Sequence, residues 1–489
     1  MTTSNDFHVE ASRRMPLAES VLRLLHYSLE DDFLAGVFER HRGRCFERDL
    51  SFPTFVHVIS DALLHRDSLH QAVLHAQTEL ALDVSFQAVY ARLATIPCEV
   101  STRLLAEATT RLDEVSICVS TPVPPSLIGY RCLALDGKKM KYVLKRLKVL
   151  RGLKGNVLGS KLLVAQDMTT RQAVVVEAHL DGEAADHPLV ASVVAQARAL
   201  PDSRPRLWVA DRGFCDFRIL ALLSEADDDF LVREHSKCKF HRDPSVPIRT
   251  GKDELGRSFT EEWGWLGAAD NPRRVQCRRI VVERPGYRPL VLLTSLLDAD
   301  RYPAEELLLL YRRRWGIETM FQRLVQTFDL RHLIGGTPEA TVFQACFCML
   351  LCNIVLIVRD YVAEGAQLTP ETVSLHLLHS DLVDELIGWM IMIGPDATPG
   401  VLGAKTFATP EDLQRYLRER LGGVWKERLR KSKTTKRGPK KTPRAYLKGG
   451  HSSVDRIRRG VHEEILIKPR KTKAGPTPAA TPATDETKS

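Results

Sequence analysis

The chain has 489 residues, 44% hydrophobic and 27% charged, proportions that suit a soluble globular protein with length for about three domains and a sizeable core. Its ten cysteines include no CxxC pair, which argues against a zinc ribbon or a disulfide scaffold and for free thiols in a reducing compartment. The net charge is +9, but residues 428–473 hold 17 Lys/Arg against 3 Asp/Glu, a local +14 that leaves the rest of the chain at −5.

A mildly acidic body with a basic extension suits a polyanion, of which nucleic acid is the commonest. The opening "MTTSNDFHVEASRR" has no apolar h-region, so a cytoplasmic protein is expected. Residues 15–115 read as helices. Two of them, in "LHQAVLHAQTELAL" and "VSFQAVYARLATI", are joined by the short "LDVS", with Ser85 placed to cap the second. That pair resembles a helix-turn-helix, and an N-terminal domain over 1–125 is a candidate for binding DNA ends.

After the Pro-rich "STPVPPS" (120–126) the pattern turns from helical to strand-like. "YRCLALD" (130–136) reads as a strand ending in an acid, followed by a connection with nine Lys/Arg and no acid across 137–161. "SKLLVAQ" and "AVVVEAHL" form a hairpin, "PLVASVVAQARAL" a helix, "RLWVAD" (206–211) a strand, "FRILALLSEA" a helix and "DDFLVREH" a strand. This β-β-β-α-β-α-β order predicts an α/β fold of ribonuclease H-like type, with the first and fourth strands adjacent in a mixed sheet. The core would occupy 126–235 and 301–360, split by a β-rich insertion at 236–300. A helical region (361–430) and a basic, largely disordered tail (431–489) would follow. The 17-residue run "VFQACFCMLLCNIVLIV" contains Gln344 and Asn353, so a buried helix is expected rather than a membrane span.

Asp136 and Asp211 each close an apolar strand. On adjacent parallel strands they would stand side by side, and a divalent cation would relieve their repulsion. Hard oxygen ligands favour Mg²⁺ or Mn²⁺. Gly137 and Gly213 leave room beside each acid, as a site approached by a bulky backbone would need. In "YRRRWGIET" (311–319), Tyr311, Arg314 and Glu318 share one stripe of a helix, which makes Glu318 the candidate third ligand. The acidic "LDGEAADH" (Asp181, Glu183, Asp186, His187) can be read as a rival metal site, but it lies in a polar connection before a helix, where such residues are usually solvated or capping.

Together, "LALDGKKM", "WVADRGF" and "YRRRWGIETMFQRL" resemble the DDE transposases of bacterial insertion sequences, in particular the insertion sequence four family. The lead-in "VLLTSLLDADRYPAEELLLLYRRRWGIE" is similar over about 30 residues. The resemblance implies Asp136, Asp211 and Glu318 as catalytic metal ligands for two Mg²⁺ or Mn²⁺ ions, about 3.5–4 Å apart in such sites. It places Tyr311 and Arg314 on DNA backbone, and Val325 where the signature has Lys; Gln322, Gln326 or Arg323 are candidate substitutes, with Arg323 about 140° around the helix from Glu318. It also implies cleavage at terminal inverted repeats, 3′-OH transfer into target DNA, and a homodimer bridging two DNA ends. Arg233 is a further candidate phosphate contact. Trp263 and Trp265, on one face of the insertion, are candidates for stacking on a flipped base, or else plain sheet core. A non-cutting regulator and a nuclease that never joins strands are the alternative functions.

Overall fold

The computed structural model describes residues 10, 13–47, 50–64, 69–78, 85–117, 123–140, 157–284, 286–326, 335–393, 407, 409–432 and 453–460. Six helices come first: α1 (Pro16–Ser28), α2 (Asp31–His41), α3 (Phe52–Leu64), α4 (Leu69–Thr78), α5 (Phe86–Thr95) and α6 (Cys98–Val115). Ser85 caps α5, its hydroxyl accepting from the Ala88 N–H at 3.0 Å. Ser85→Ala is expected to cost about 1 kcal/mol in a urea melt. The α4–α5 connection that the helix-turn-helix reading depends on lies outside the described residues, as do most of 137–161 and most of the basic tail.

Strands β1 (Arg131–Lys139), β2 (Lys161–Asp167) and β3 (Ala173–His179) form an antiparallel meander. Helix α7 (His187–Arg198), β4 (Arg206–Ala210), α8 (Phe217–Glu225) and β5 (Asp229–Arg233) then build two parallel steps. The resulting order, β3-β2-β1-β4-β5, with β1 parallel to β4, is the ribonuclease H-like arrangement expected from the sequence. The insertion supplies β6 (Phe240–Arg242), β7 (Arg249–Lys252), β8 (Ser258–Leu266), β9 (Val275–Val282) and β10 (Leu290–Thr294). Strand β10 pairs antiparallel with β5, so the insertion extends the same sheet to ten strands.

Because β1, β2 and β4 are covered on both faces, they read as near-continuous apolar runs. Alternate residues supply two cores. Cys132, Ala134, Leu162, Val164, Leu207 and Val209 join a cluster containing the N-terminal helices. Leu133, Leu135, Leu163, Trp208 and Ala210 pack under α7 and α8. The sulfur-rich run lies in α11 (Pro338–Gly365), whose apolar stretch is buried throughout. It packs against α1, α5 and α6 on one side of the sequence, and α12 (Leu375–Ile393) and α13 (Pro410–Leu421) on the other.

Two local readings are corrected. Strand β1 does not end at Asp136; it continues to Lys139 on β2, and only its partner β4 stops, at Ala210. Residues 311–319 do not form one uninterrupted helix. Helix α9 (Ala304–Arg313) ends and α10 (Trp315–Gln326) begins around Arg314. There the turn tightens to three-residue hydrogen bonds, from Arg314 N–H to the Tyr311 carbonyl and from Ile317 N–H to the Arg314 carbonyl. Arg314 keeps helical angles, so Glu318 still falls on its side.

Far along the chain, Ser453 bridges to Leu158 and the Val454 N–H donates to the Leu158 carbonyl at 2.8 Å. The short helix α14 (Val454–Arg458) buries Val454 and Ile457 there.

Candidate active site

Backbone register brings the two aspartates together. Leu135 pairs with Ala210 across the parallel β1–β4 ladder, so Asp136 and Asp211 follow a matched pair. The Asp136 Oδ1 accepts the Gly137 N–H at 2.9 Å. Burial pushes the Asp136 carboxyl up to about 6; the Arg314 guanidinium opposes this, while the Asp211 and Glu318 carboxylates add to it. Asp211 caps a single turn, Arg212–Phe214, its Oδ1 accepting from the Gly213 N–H at 2.7 Å. The cap of the longer helix α8 is instead Asp216, which accepts from Arg218 N–H at 3.0 Å.

Glu318 stands in the first turn of α10 and accepts from Arg314 Nη2 at 2.7 Å. The pair is uneven, with the Arg314 side chain 8% exposed and that of Glu318 36%. Burial would lower the Arg314 pKa, but Glu318, Tyr311 and Asp136 hold it above its usual value. The guanidinium is thus an internal cation among the acids. Burial also raises the Tyr311 phenol, which lies in the fields of Arg314, Asp211 and Arg233. Asp136, Asp211, Glu318, Tyr311, Arg314 and Arg233 therefore gather at one sheet edge. Among the described residues no three His, Cys, Asp or Glu side chains are close enough together to hold a metal ion. Glu318 is instead paired with Arg314.

The other candidates lie elsewhere. Burial lowers the Arg323 pKa, and Cys352 and Arg359 of α11 are among the groups that act on it. Gln322 is exposed, and the side chains of Val325 and Gln326 are outside the described residues. The Trp263 indole N–H donates to the Leu297 carbonyl at 2.8 Å, with Arg278 and Arg249 against its ring. Trp265 stacks under Arg274 at 4.1 Å. Both rings are half-buried on the insertion and are occupied by the protein's own groups.

The room beside the two glycines is filled from within. A β-carbon at Gly137 would stand 2.1 Å from Asp186 Oδ1, and one at Gly213 would stand 2.9 Å from Asp211 Oδ1. The connection after β3 is not simply solvated: Asp181 is buried and bonded to Arg456, and Asp186 to Lys161. Sequence reasoning gave these acids no part in the site. The one available signal was Gly137 itself, since a glycine beside a key acid marks a close approach without naming what approaches.

The family described as "Transposase DDE domain" matches residues 129–354. A Sinorhizobium fredii protein, the proposed transposase y4zB, is 26% identical over 145 residues, which is 29% of this chain and 40% of that protein. A solved piggyBac transposase synaptic complex with hairpin DNA is similar at 13% identity over 85% of each chain, with a TM-score of 0.34 that is too low to carry weight. The chain matches well under half the length of the Sinorhizobium fredii relative. Residues 129–354, with their ribonuclease H-like strand order, are thus similar to the DDE transposase family.

Proposed function

We propose that this chain is a DNA transposase that cleaves the ends of its element with Mg²⁺ or Mn²⁺ and joins the freed 3′-OH to target DNA. The observation that supports the reading is the Leu135–Ala210 register, after which Asp136 and Asp211 both follow, with the Asp211 and Glu318 carboxylates acting on Asp136. Three carboxylates form a hard, all-oxygen donor set, which fits a divalent cation of that class. Arg314 already holds positive charge at the place where one would be welcome. Bound there, such ions would supply activation of the attacking oxygen and stabilisation of the leaving one.

The chain's own residues do the rest. Asp136, Asp211 and Glu318 would hold the cations. Arg314 and Arg233 offer fixed donors to a backbone phosphate, and the Tyr311 hydroxyl can donate to a neighbouring one. No residue forms a covalent bond to DNA. The test is incubation of the protein with Mg²⁺ and DNA carrying the element's own ends. Nicked and joined products are expected; binding without cutting would instead identify a regulator, and nicks without joining a nuclease.

The raised Asp136 pKa gives a pH dependence. Below about 6 the carboxyl holds a proton that a cation must displace. Mn²⁺ affinity of the DNA-free protein is expected to be level above that pH and to fall by about tenfold per unit below it. Titration followed by electron paramagnetic resonance, from pH 5 to 7.5, measures this. A flat profile would show that Asp136 does not bind the ion.

A further inference from the structure

Past Leu135 and Ala210 the β1–β4 ladder stops, so no strand pairing holds the Asp211 turn against the Asp136 end of β1. Two successive residues at the start of α7 reach both. Asp186 lies against Gly137, so close that a β-carbon there would sit 2.1 Å from its Oδ1. The buried Lys161 Nζ neutralises that carboxylate at 2.8 Å. His187 turns the other way: its Nε2 donates to the Gly213 carbonyl at 3.0 Å, inside the turn that Asp211 caps. Its Nδ1 stands 3.9 Å from Asp216, the cap of α8.

Asp186 occupies the N-cap position of α7 but its side chain caps nothing. Its carboxylate is committed to Lys161 and Gly137 instead. The same connection is anchored at its other end, where Asp181 accepts from Arg456 Nε at 2.8 Å and from the Glu183 N–H at 2.9 Å. Glu183 in turn meets Lys139 at 3.3 Å, on the extension of β1 beyond Asp136. The segment is therefore held firmly enough to brace what it touches.

We propose that Asp186 and His187 are positioning residues that bracket Asp136 on β1 and the Asp211 turn, fixing the separation of the two carboxylates where the β1–β4 ladder no longer does. The functional part of this inference rests on the transposase reading. A displacement of about 1 Å in a reacting constellation can cost roughly a hundredfold in rate, so a bracket of this kind has large leverage.

The test compares Asp186→Ala, His187→Ala and the double variant with His187→Gln, which keeps a side-chain N–H donor. Mn²⁺ binding to the DNA-free protein, end cleavage, end binding and melting temperature are measured on the full chain. The double variant is expected to bind Mn²⁺ about tenfold more weakly and to cut roughly a hundredfold more slowly, with end binding within about twofold of the unsubstituted protein. His187→Gln is expected to recover most of what His187→Ala loses. If the double variant does not fold, the exposed His187 decides alone through its Ala and Gln forms. Unchanged Mn²⁺ binding and cleavage in a folded variant, or no difference between Gln and Ala, would overturn the bracket. Asp211→Asn separates the two ideas: if it still cuts, the catalytic reading has failed, whereas an inert Asp211→Asn beside a fully active bracket variant removes only the bracket.

Discussion

Asp211→Asn is expected to lower cleavage of element ends by roughly 10²–10³-fold or more, the scale on which removing one preorganised charged or polar group acts, and to leave binding of those ends within about threefold. The asymmetry follows from what Asp211 does. Its Oδ1 accepts the Gly213 N–H at 2.7 Å, and an asparagine oxygen accepts that bond equally well, so the turn survives. What is lost is a negative charge beside Asp136, and with it a cation ligand. Asp136 should respond, because the Asp211 carboxylate is one of the influences raising its pKa. In the variant that pKa is expected to fall, a shift readable by carboxyl NMR independently of any reaction. Glu318→Gln is the matched control, since its amide oxygen can still accept from Arg314. If either variant cuts at the original rate, the three acids are not the catalytic set.

The second large effect is on stability. Asn353, fully buried in α11, ties three elements together. Its Nδ2 donates to Thr109 Oγ1 in α6 and to the Ala173 carbonyl at the start of β3, each at 2.9 Å, and its Oδ1 accepts the Ala173 N–H at 3.0 Å. Leucine has the same branched arrangement of side-chain heavy atoms, with somewhat greater bulk, but none of these groups. It would strand a backbone N–H and leave the Thr109 hydroxyl and the Ala173 carbonyl poorly satisfied. A cost of about 3 kcal/mol is expected for Asn353→Leu, measured as a lower midpoint in urea with an unchanged slope. A loss below about 1 kcal/mol would show that packing alone, without the amide, joins the helix to the sheet.

Much of this was legible in the residues. The seven elements from Arg131 to Arg233 were recoverable because each strand is a short apolar run bounded by turn residues, and each helix has its own periodicity and length. The adjacency of β1 and β4 followed from connection rules, and with it the pairing of Asp136 and Asp211. Glu318 was singled out by helical spacing together with the family resemblance, and the break at Arg314 did not move it off the Arg314 side because one tightened turn keeps the same side of the helix. What sequence did not disclose was long-range. Nothing local says that Asp186 fills the space at Gly137, or that Arg456 reaches Asp181 across 275 positions. Short polar residues in a connection look alike whether they face water or brace a neighbour. The insertion's strands were visible, but their attachment to β5 through β10 was not, since edge pairing depends on register between distant segments.

The placement of α11 has a consequence for how the molecule must be made. Its covering comes partly from helices translated before it and partly from α12 and α13, which end only at Leu421. A nascent polypeptide emerging from the ribosome therefore carries a long greasy rod that stays half dressed until most of the message has been read. A chain cut short before α12 and α13 is therefore expected to leave part of that rod open to water and to aggregate.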